Sequence, residues 1–165
     1  MGKTIVFYGS TTGTCEAIAE TIAQKLQAEV LNVTNMTPEV ISECQNLILG
    51  TSTWGAGELQ DDWYDGLKTL ESQNLAGKVV AIFGCGDSCS YSDTFCSAMK
   101  EIFYAAKEAG ATMIGEVATS GYSFSYSDAV EGDVFIGLPL DDINEADETE
   151  GRIDQWIEQI QPKLK

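Results

Sequence analysis

The sequence predicts an α/β fold in which a parallel sheet carries helices on both faces. Two observations point there. Short apolar runs alternate with stretches of helical period along most of the chain. Runs such as Leu47-Ile48-Leu49 and Val79-Val80-Ala81-Ile82-Phe83 also lack polar alternation, as strands covered on both faces should. With 165 residues, 44% of them hydrophobic, the chain is long enough for one domain, expected to span 1–165, with a real core.

The elements follow in order. Thr4-Ile5-Val6-Phe7-Tyr8 is β-rich and stops at Gly9, which reads as a buried strand. Ile18, Ile22 and Leu26 recur at intervals of four beside Ala19 and Ala23, giving a helix with one apolar face. Val30 to Val33 reads as a second strand, Pro38 to Cys44 as a weak helix and Leu47 to Gly50 as a third strand. Leu59 to Leu70 reads as a helix and Lys78 to Gly84 as a fourth strand. Phe95, Met99, Ile102, Phe103 and Ala106 mark a helix that ends near Gly110, and Thr112 to Val117 begins a fifth strand. Ile153, Trp156, Ile157, Ile160 and Leu164 mark a last helix. One stretch breaks the rhythm: Ala118 to Gly137, rich in Ser, Tyr and Gly, reads as an insertion around the fifth strand.

Composition excludes several function classes. Asp and Glu number 26 against 9 Lys and Arg, for a formal charge of −17, so sequence-independent nucleic-acid binding is not expected. The absence of histidine removes His-based catalysis and His metal ligation. No apolar run reaches the ~18 residues of a membrane span, and no secretory signal pattern opens the chain, so no membrane association and a cytoplasmic location are expected. The five cysteines form no zinc-like array and read as free, inert thiols.

In such a sheet, ligands bind beyond the carboxyl ends of the strands, which directs attention to three loops. The first, Ser10-Thr11-Thr12-Gly13-Thr14-Cys15, runs straight into a helix and offers hydroxyls and N–H groups to an anion. It is no Walker loop, because its glycines enclose only three residues and no Lys follows the second. It therefore suits a single terminal phosphate; an ordinary Ser/Thr helix cap is the plainer alternative. The second loop, Ser52-Thr53-Trp54-Gly55-Ala56-Gly57-Glu58, places a Trp among small residues, either as a flat wall for an aromatic ligand or folded back over the core. The third, Cys85-Gly86-Asp87-Ser88-Cys89-Ser90-Tyr91, lacks the last glycine of a dinucleotide fingerprint. Asp87 there is either an acceptor for ring N–H groups or a helix cap, and Tyr91 either a stacking ring or a half-buried surface ring. A flat ring system with a phosphorylated tail would satisfy all three loops.

At these residues the whole chain resembles a flavodoxin of the long-chain subgroup. The resemblance rests on Tyr8 to Thr14, on Ser52 to Gly55 with Gly57 to Trp63, on Gly84 to Asp87 with Tyr91, and on Phe135 to Asp141 after the insertion. It implies a doubly wound flavodoxin-like sandwich, a five-stranded parallel sheet in order 2-1-3-4-5. It also implies a low-potential one-electron carrier with non-covalent FMN, working between semiquinone and hydroquinone and passing electrons between redox enzymes, rather than a stand-alone enzyme. Ser10, Thr11, Thr12, Gly13, Thr14 and the N–H of Cys15 would hold the FMN phosphate. Trp54 would cover the inner ring face with Ser52, Thr53 and Gly57 beside it, and Tyr91 the outer face. Cys85, Gly86 and Asp87 would meet the pyrimidine edge, and the Gly55 carbonyl would turn toward the ring on reduction, a movement that glycine eases. Expected partners are basic redox proteins, such as a ferredoxin/flavodoxin-NADP reductase or a low-potential oxidoreductase, met by a monomer. Two departures stand out: Cys15 replaces a usual Thr, which exchanges a hydroxyl donor for a weaker thiol, and Ile143 replaces an acid near the ribityl chain.

The charge then acquires a use. Glu58, Asp61, Asp62 and Asp65 follow Trp54 closely and should surround the flavin. At ~10 Å and an effective dielectric of ~20, each carboxylate opposes a new negative charge by about 1.7 kcal/mol before salt screening. One-electron couples shift about 59 mV per 1.4 kcal/mol, so a low second potential is expected. Two other readings are weaker. An FMN quinone reductase needs a second pocket that no loop supplies, and a phospho-receiver needs clustered Asp where Gly9-Ser10-Thr11 stands.

Overall fold

Ile5, Phe7, Leu47, Leu49, Val80 and Ile82 face one side of the sheet, while Val6, Ile48, Ala81 and Phe83 face the other, and all of them are buried. Strands with no exposed face need helices on both sides, and the chain provides them. The structure is a computed structural model that describes residues 2–165, so Met1 of the expected 1–165 domain lies outside it. In chain order the elements are β1 (Thr4–Gly9), α1 (Thr14–Leu26), β2 (Glu29–Asn32), α2 (Pro38–Glu43), β3 (Asn46–Trp54), β4 (Glu58–Leu59) and α3 (Trp63–Glu71). They continue with β5 (Val79–Cys85), α4 (Met99–Glu108), β6 (Thr112–Ile114), β7 (Val117–Ala118), β8 (Val130–Glu131), β9 (Val134–Phe135), β10 (Leu138–Leu140) and α5 (Ala146–Ile160). α1 and α5 cover one face through Ile18, Ile22, Ile153, Trp156 and Ile160, and α3 and α4 cover the other through Trp63, Leu70, Met99, Ile102 and Ala106.

The parallel order is β2-β1-β3-β5, with the fifth position on the outer side of β5, which is the expected 2-1-3-4-5 arrangement. That fifth position is held by two segments. β6 pairs with the first half of β5 (Thr112↔Val79, Ile114↔Ala81) and β10 with the second half (Leu138↔Phe83, Leu140↔Cys85). The break comes at Gly115, whose φ is 95°, and the Trp156 indole N–H bonds its carbonyl at 2.9 Å. Between the halves, β7, β9 and β8 form a separate antiparallel sheet, so the insertion read at Ala118 to Gly137 has structure of its own.

Aromatic packing anchors this insertion. The Phe135 ring lies 6.0 Å from Phe95, 5.2 Å from Tyr122 and 5.1 Å from Phe124, centroid to centroid. The Tyr122 hydroxyl donates to the Pro139 carbonyl at 2.9 Å, and Arg152 stacks 4.0 Å from the Tyr122 ring centroid while pairing with Glu145 at 3.1 Å.

Several boundaries differ from the sequence reading: β3 continues past Gly50 to Trp54, α5 ends at Ile160 short of Leu164, and in three other places a turn intervenes. Leu59 sits in β4, which forms a hairpin with β3, and the helix begins only at Trp63. Phe95 precedes α4 because Cys96 adopts a left-handed φ of 53°, which ordinary helix cannot continue. Val33 leaves β2 for a 3-10 turn at Val33–Asn35, held by the Asn32 side chain accepting from Thr34 N–H. Among the described residues, no helix is long and apolar enough to cross a membrane.

If the aromatic cluster holds the insertion to the sheet, Phe135→Ala should lower stability by about 3–5 kcal/mol. Urea unfolding followed by tryptophan fluorescence measures this, and a loss below about 1 kcal/mol would show that the insertion packs without it.

Candidate functional site

β1 ends at Gly9, and its chain enters α1 through Ser10–Gly13. Gly13 is the helix N-cap at φ 93°, where a side chain would be strained, and no side chain caps the helix. The cap expected of a Ser or Thr is therefore absent. Instead the Ser10 hydroxyl accepts from Gly13 N–H at 3.1 Å, which leaves its own O–H free to donate. The first-turn N–H groups, those of Thr14, Cys15 and Glu16, have no intrahelical partner. With the helix dipole they make an anion cradle whose donors are uncharged, and the Glu16 carboxylate of the same turn is taken up by the Tyr8 hydroxyl at 2.9 Å. Thr11 is pinned from across the sheet edge, where its hydroxyl accepts from Gln60 Nε2 at 3.1 Å.

A slot opens beside this cradle, lined by Thr12, Thr14, Ser52, Thr53, Trp54, Gly55, Cys85, Gly86, Asp87 and Tyr91, together with Asp142 and Ile143. Its walls are aromatic, with Trp54 40% and Tyr91 52% exposed. Trp54 is not folded over the core, for its indole N–H donates to the Ser52 hydroxyl at 2.8 Å and the ring faces the slot. The hairpin behind it closes with Gly57 N–H on the Trp54 carbonyl at 3.1 Å. Gly55, the first central residue, has a φ of 52°, the sign that a mirror-image hairpin turn requires there. The enclosed volume is about 150 Å³, below the ~300–1,000 Å³ of pockets that swallow a small molecule. A flat ligand would be clasped between the walls with an edge left in solvent. Among the described residues lining the slot there is no Lys or Arg.

A sequence and a site of this kind have known counterparts. Residues 6–156 match the family model described as Flavodoxin. The chain belongs to the flavodoxin family. It is 38% identical over 171 residues to Flavodoxin 1 of Azotobacter vinelandii, covering 99% of this chain and 98% of that protein. It is 41% identical over 161 residues to the flavodoxin of Helicobacter pylori, covering 97% of each. Among solved structures, the Fusobacterium nucleatum flavodoxin bound to flavin mononucleotide superposes with a TM-score of 0.94 at 32% identity, covering the whole of both chains. The flavodoxin-like sandwich expected from the sequence is thus the fold found, with the fifth strand split by the insertion.

The flavodoxin slot collects most of the expected residues and places a few elsewhere. Ser10, Thr11 and Gly13 belong to the cradle loop rather than the slot wall, and Gly57 packs toward Ser97 and Thr94. Cys15 is fully buried, with its thiol against Cys85 in the core under α1, so only its N–H faces the cradle. The expected exchange of a hydroxyl donor for a thiol donor therefore finds no thiol in place. Contact with Cys85 and burial together push the Cys15 thiol well above its usual range, and burial does the same for Cys96, as expected of inert thiols. No helix begins at Asp87, since α4 starts only at Met99; instead its Oδ1 closes a turn by accepting from Cys89 N–H at 3.1 Å and Ser90 N–H at 2.9 Å. The Ser90 bond, followed by one from Asn144, lowers its pKa.

Sequence reading placed Ile143 near the ribityl chain but assigned no contact there and did not count the loop after β10 among the site loops. Asp142 and Ile143 enter the slot there, and Ile143 is 71% exposed. The signal was the apolar Leu138-Pro139-Leu140 run ending at an Asp before the last helix, partly hidden by the insertion that precedes it. Asp141 carries this loop. It is fully buried, and its oxygens accept from Ser88 N–H (3.0 Å), the Ser88 hydroxyl, Ile143 N–H (3.1 Å) and Asn144 N–H (2.9 Å). Burial alone would raise the Asp141 pKa, but these bonds outweigh it and the pKa falls below the ordinary 3.8.

A carboxylate with a lowered folded pKa adds stability that is full above its unfolded pKa and lost as pH falls through the folded one. Asp141→Asn should therefore cost about 1.5–3 kcal/mol at pH 7, since a charged acceptor is lost, and the difference from the parent chain should shrink below about pH 4. Urea titrations of both proteins across pH 2.5–7 check this, and a difference that stays constant with pH would contradict it.

Proposed function

We propose that this flavodoxin holds one FMN non-covalently in the slot and passes single electrons between redox proteins at low potential, the whole chain working as one domain. The observation that carries the reading is the pairing of an uncapped, uncharged helix N-terminus with a slot between two exposed aromatic rings. The donor set fits the group. A terminal phosphate matches the hydroxyls of Ser10, Thr11, Thr12 and Thr14 and the N–H groups from Thr14 onward, and Gly13 puts no side chain in its way. A planar ring matches Trp54 and Tyr91. Cys85, Gly86 and Asp87 line the same slot on the strand side, and Ser52, Thr53 and Gly55 on the hairpin side. Bound there, the flavin would supply the one-electron chemistry that none of these side chains can perform.

The chain's own contribution is electrostatic and geometric. Asp87 and Asp142 line the slot, and the Glu58 carboxylate lies where it would be 3.4 Å from a side chain added at Gly55. Glu58, Asp61, Asp62 and Asp65, expected around the flavin, do not line the slot themselves; the last three stand farther off, at the start of α3. With no cation among the lining residues, this surrounding resists added negative charge, which places the second electron at a low potential and makes the protein work between its one- and two-electron reduced states. The same rim attracts basic partners, such as a ferredoxin/flavodoxin-NADP reductase or another low-potential oxidoreductase, and disfavours acidic ones. The residues lining the slot offer no second cluster of groups for a nicotinamide or quinone, which favours a carrier over an FMN quinone reductase. Unpaired thiols, four of them buried and Cys89 exposed, suit a reducing cytoplasm.

Spectroelectrochemical titration of the FMN-loaded protein tests this. The second potential should lie well below that of free FMN and rise by tens of mV in a Glu58→Gln/Asp142→Asn variant at low salt, at about 59 mV per 1.4 kcal/mol. A second potential close to that of free FMN would defeat the proposal.

A further inference from the structure

The loop that carries Tyr91 and the loop that carries Ile143 leave different strands, β5 and β10, yet form one wall of the slot. Asn144, in the turn before α5, ties them together. Its side-chain nitrogen donates to Asp87 Oδ1 at 2.7 Å and lies 3.0 and 3.2 Å from the two Asp141 oxygens. An amide oxygen in that place would confront three carboxylate oxygens, so the network itself fixes which end of the amide points inward. Its backbone N–H bonds Asp141 Oδ1 at 2.9 Å, which anchors the residue in its own loop.

Across the gap, Asp87 passes the constraint onward. The oxygen that accepts from Asn144 also accepts from Cys89 and Ser90 N–H, and the Asp87 carbonyl accepts from Tyr91 N–H at 2.9 Å. The chemistry of the link matters as much as its reach. Two carboxylates this close to one point need a donor between them, and a Lys there would bring positive charge to the slot. An amide supplies the donors and leaves the local charge negative. The other charged groups nearby are already engaged: Asp142 accepts from the Thr149 hydroxyl at 2.5 Å, and Glu145 pairs with Arg152.

We propose that Asn144 is a positioning residue, a neutral latch that holds the Asp87–Tyr91 loop against the Asp142–Ile143 loop and so sets the outer wall of the slot. The proposal rests on the FMN reading for its effect on affinity, and on the apoprotein for its effect on the loops. The latch reaches the Tyr91 loop through Asp87, so its hold on that loop depends on Asp87, while its bonds to Asp141 stay within its own loop.

The test measures FMN binding by quenching of flavin fluorescence in the parent chain, Asn144→Ala, Asn144→Asp, Asp87→Ala and the Asp87→Ala/Asn144→Ala double variant, at pH 5.5 and 8. Asn144→Ala should weaken binding about 3–10-fold, as the loss of one solvent-exposed hydrogen bond of ordinary strength implies. In the Asp87→Ala background the same change should have a clearly smaller effect. Asn144→Asp should bind more weakly than Asn144→Ala at pH 8 and recover relative to the parent at pH 5.5, because a third carboxyl beside two others takes up a proton and donates again. Parent-like binding by Asn144→Ala, an equal loss with Asp87 removed, or an Asn144→Asp deficit that ignores pH would each overturn the latch. Amide hydrogen exchange of the apoprotein separates this from a failure of the FMN reading. Asn144→Ala should speed exchange at Cys89 and Ser90 whether or not FMN binds, and unchanged exchange there would also overturn it. A parent chain that takes up no FMN would refute the cofactor reading alone.

Discussion

Gly9, Thr51 and Gly84 lie side by side across three parallel strands, and Leu140 pairs with Cys85 at the next position outward. Because the strands run in the same direction and in this register, four loops leave the sheet at one edge. That shared edge is the constraint on which the site depends. It brings Ser10, Trp54, Asp87 and Ile143 together although they are far apart in sequence. The covering helices make the register costly to shift, since a slip of one residue would exchange Val6, Ile48 and Ala81 with Ile5, Leu47 and Val80 between two differently filled cores.

Charge is distributed with corresponding economy. The protein carries −17, yet the donors at the start of α1 are N–H and O–H groups with no Lys or Arg, and the first-turn Glu16 carboxylate is engaged by the Tyr8 hydroxyl. A phosphate held by Lys or Arg would bring positive charge close to the ring and ease its reduction. Neutral donors plus a helix dipole can hold the anion while Asp87, Asp142 and Glu58 keep the surroundings negative. The same logic recurs at Asn144, where an amide rather than an ammonium lies between two carboxylates.

Much of this was readable from the sequence, and what was not has a physical reason. The buried strands announced themselves because both faces are covered, leaving runs such as Val79 to Phe83 wholly apolar. The three loops were readable because Gly and Ser/Thr cluster at strand ends, and Trp54 and Tyr91 were conspicuous among small residues. Leu59 was misplaced because a two-residue strand leaves no period to detect, and its pairing with Thr53 is a tertiary fact. The split of the fifth strand was only half visible, since β6 and β10 are three residues each and lie far apart in sequence. The Asp141–Ser88 and Asn144–Asp87 links join residues more than fifty positions apart, and nothing local in an Asp or an Asn names such a partner. Cys15 shows the converse: it was read as part of the first loop, but it lies in the first turn of α1, and only the packing beneath that helix shows that its thiol faces the core.

The central claim is that the uncharged cradle at the start of α1 grips a phosphate while the aromatic slot grips a ring. Calorimetric titration of the apoprotein with FMN and with riboflavin, which differ only in the phosphate, tests it most directly. Several charge-assisted bonds at about 1.5–3 kcal/mol each should make FMN bind at least about 100-fold more tightly than riboflavin. Equal affinities for the two would contradict the account, for the helix terminus would then contribute nothing to the binding that the slot was built around.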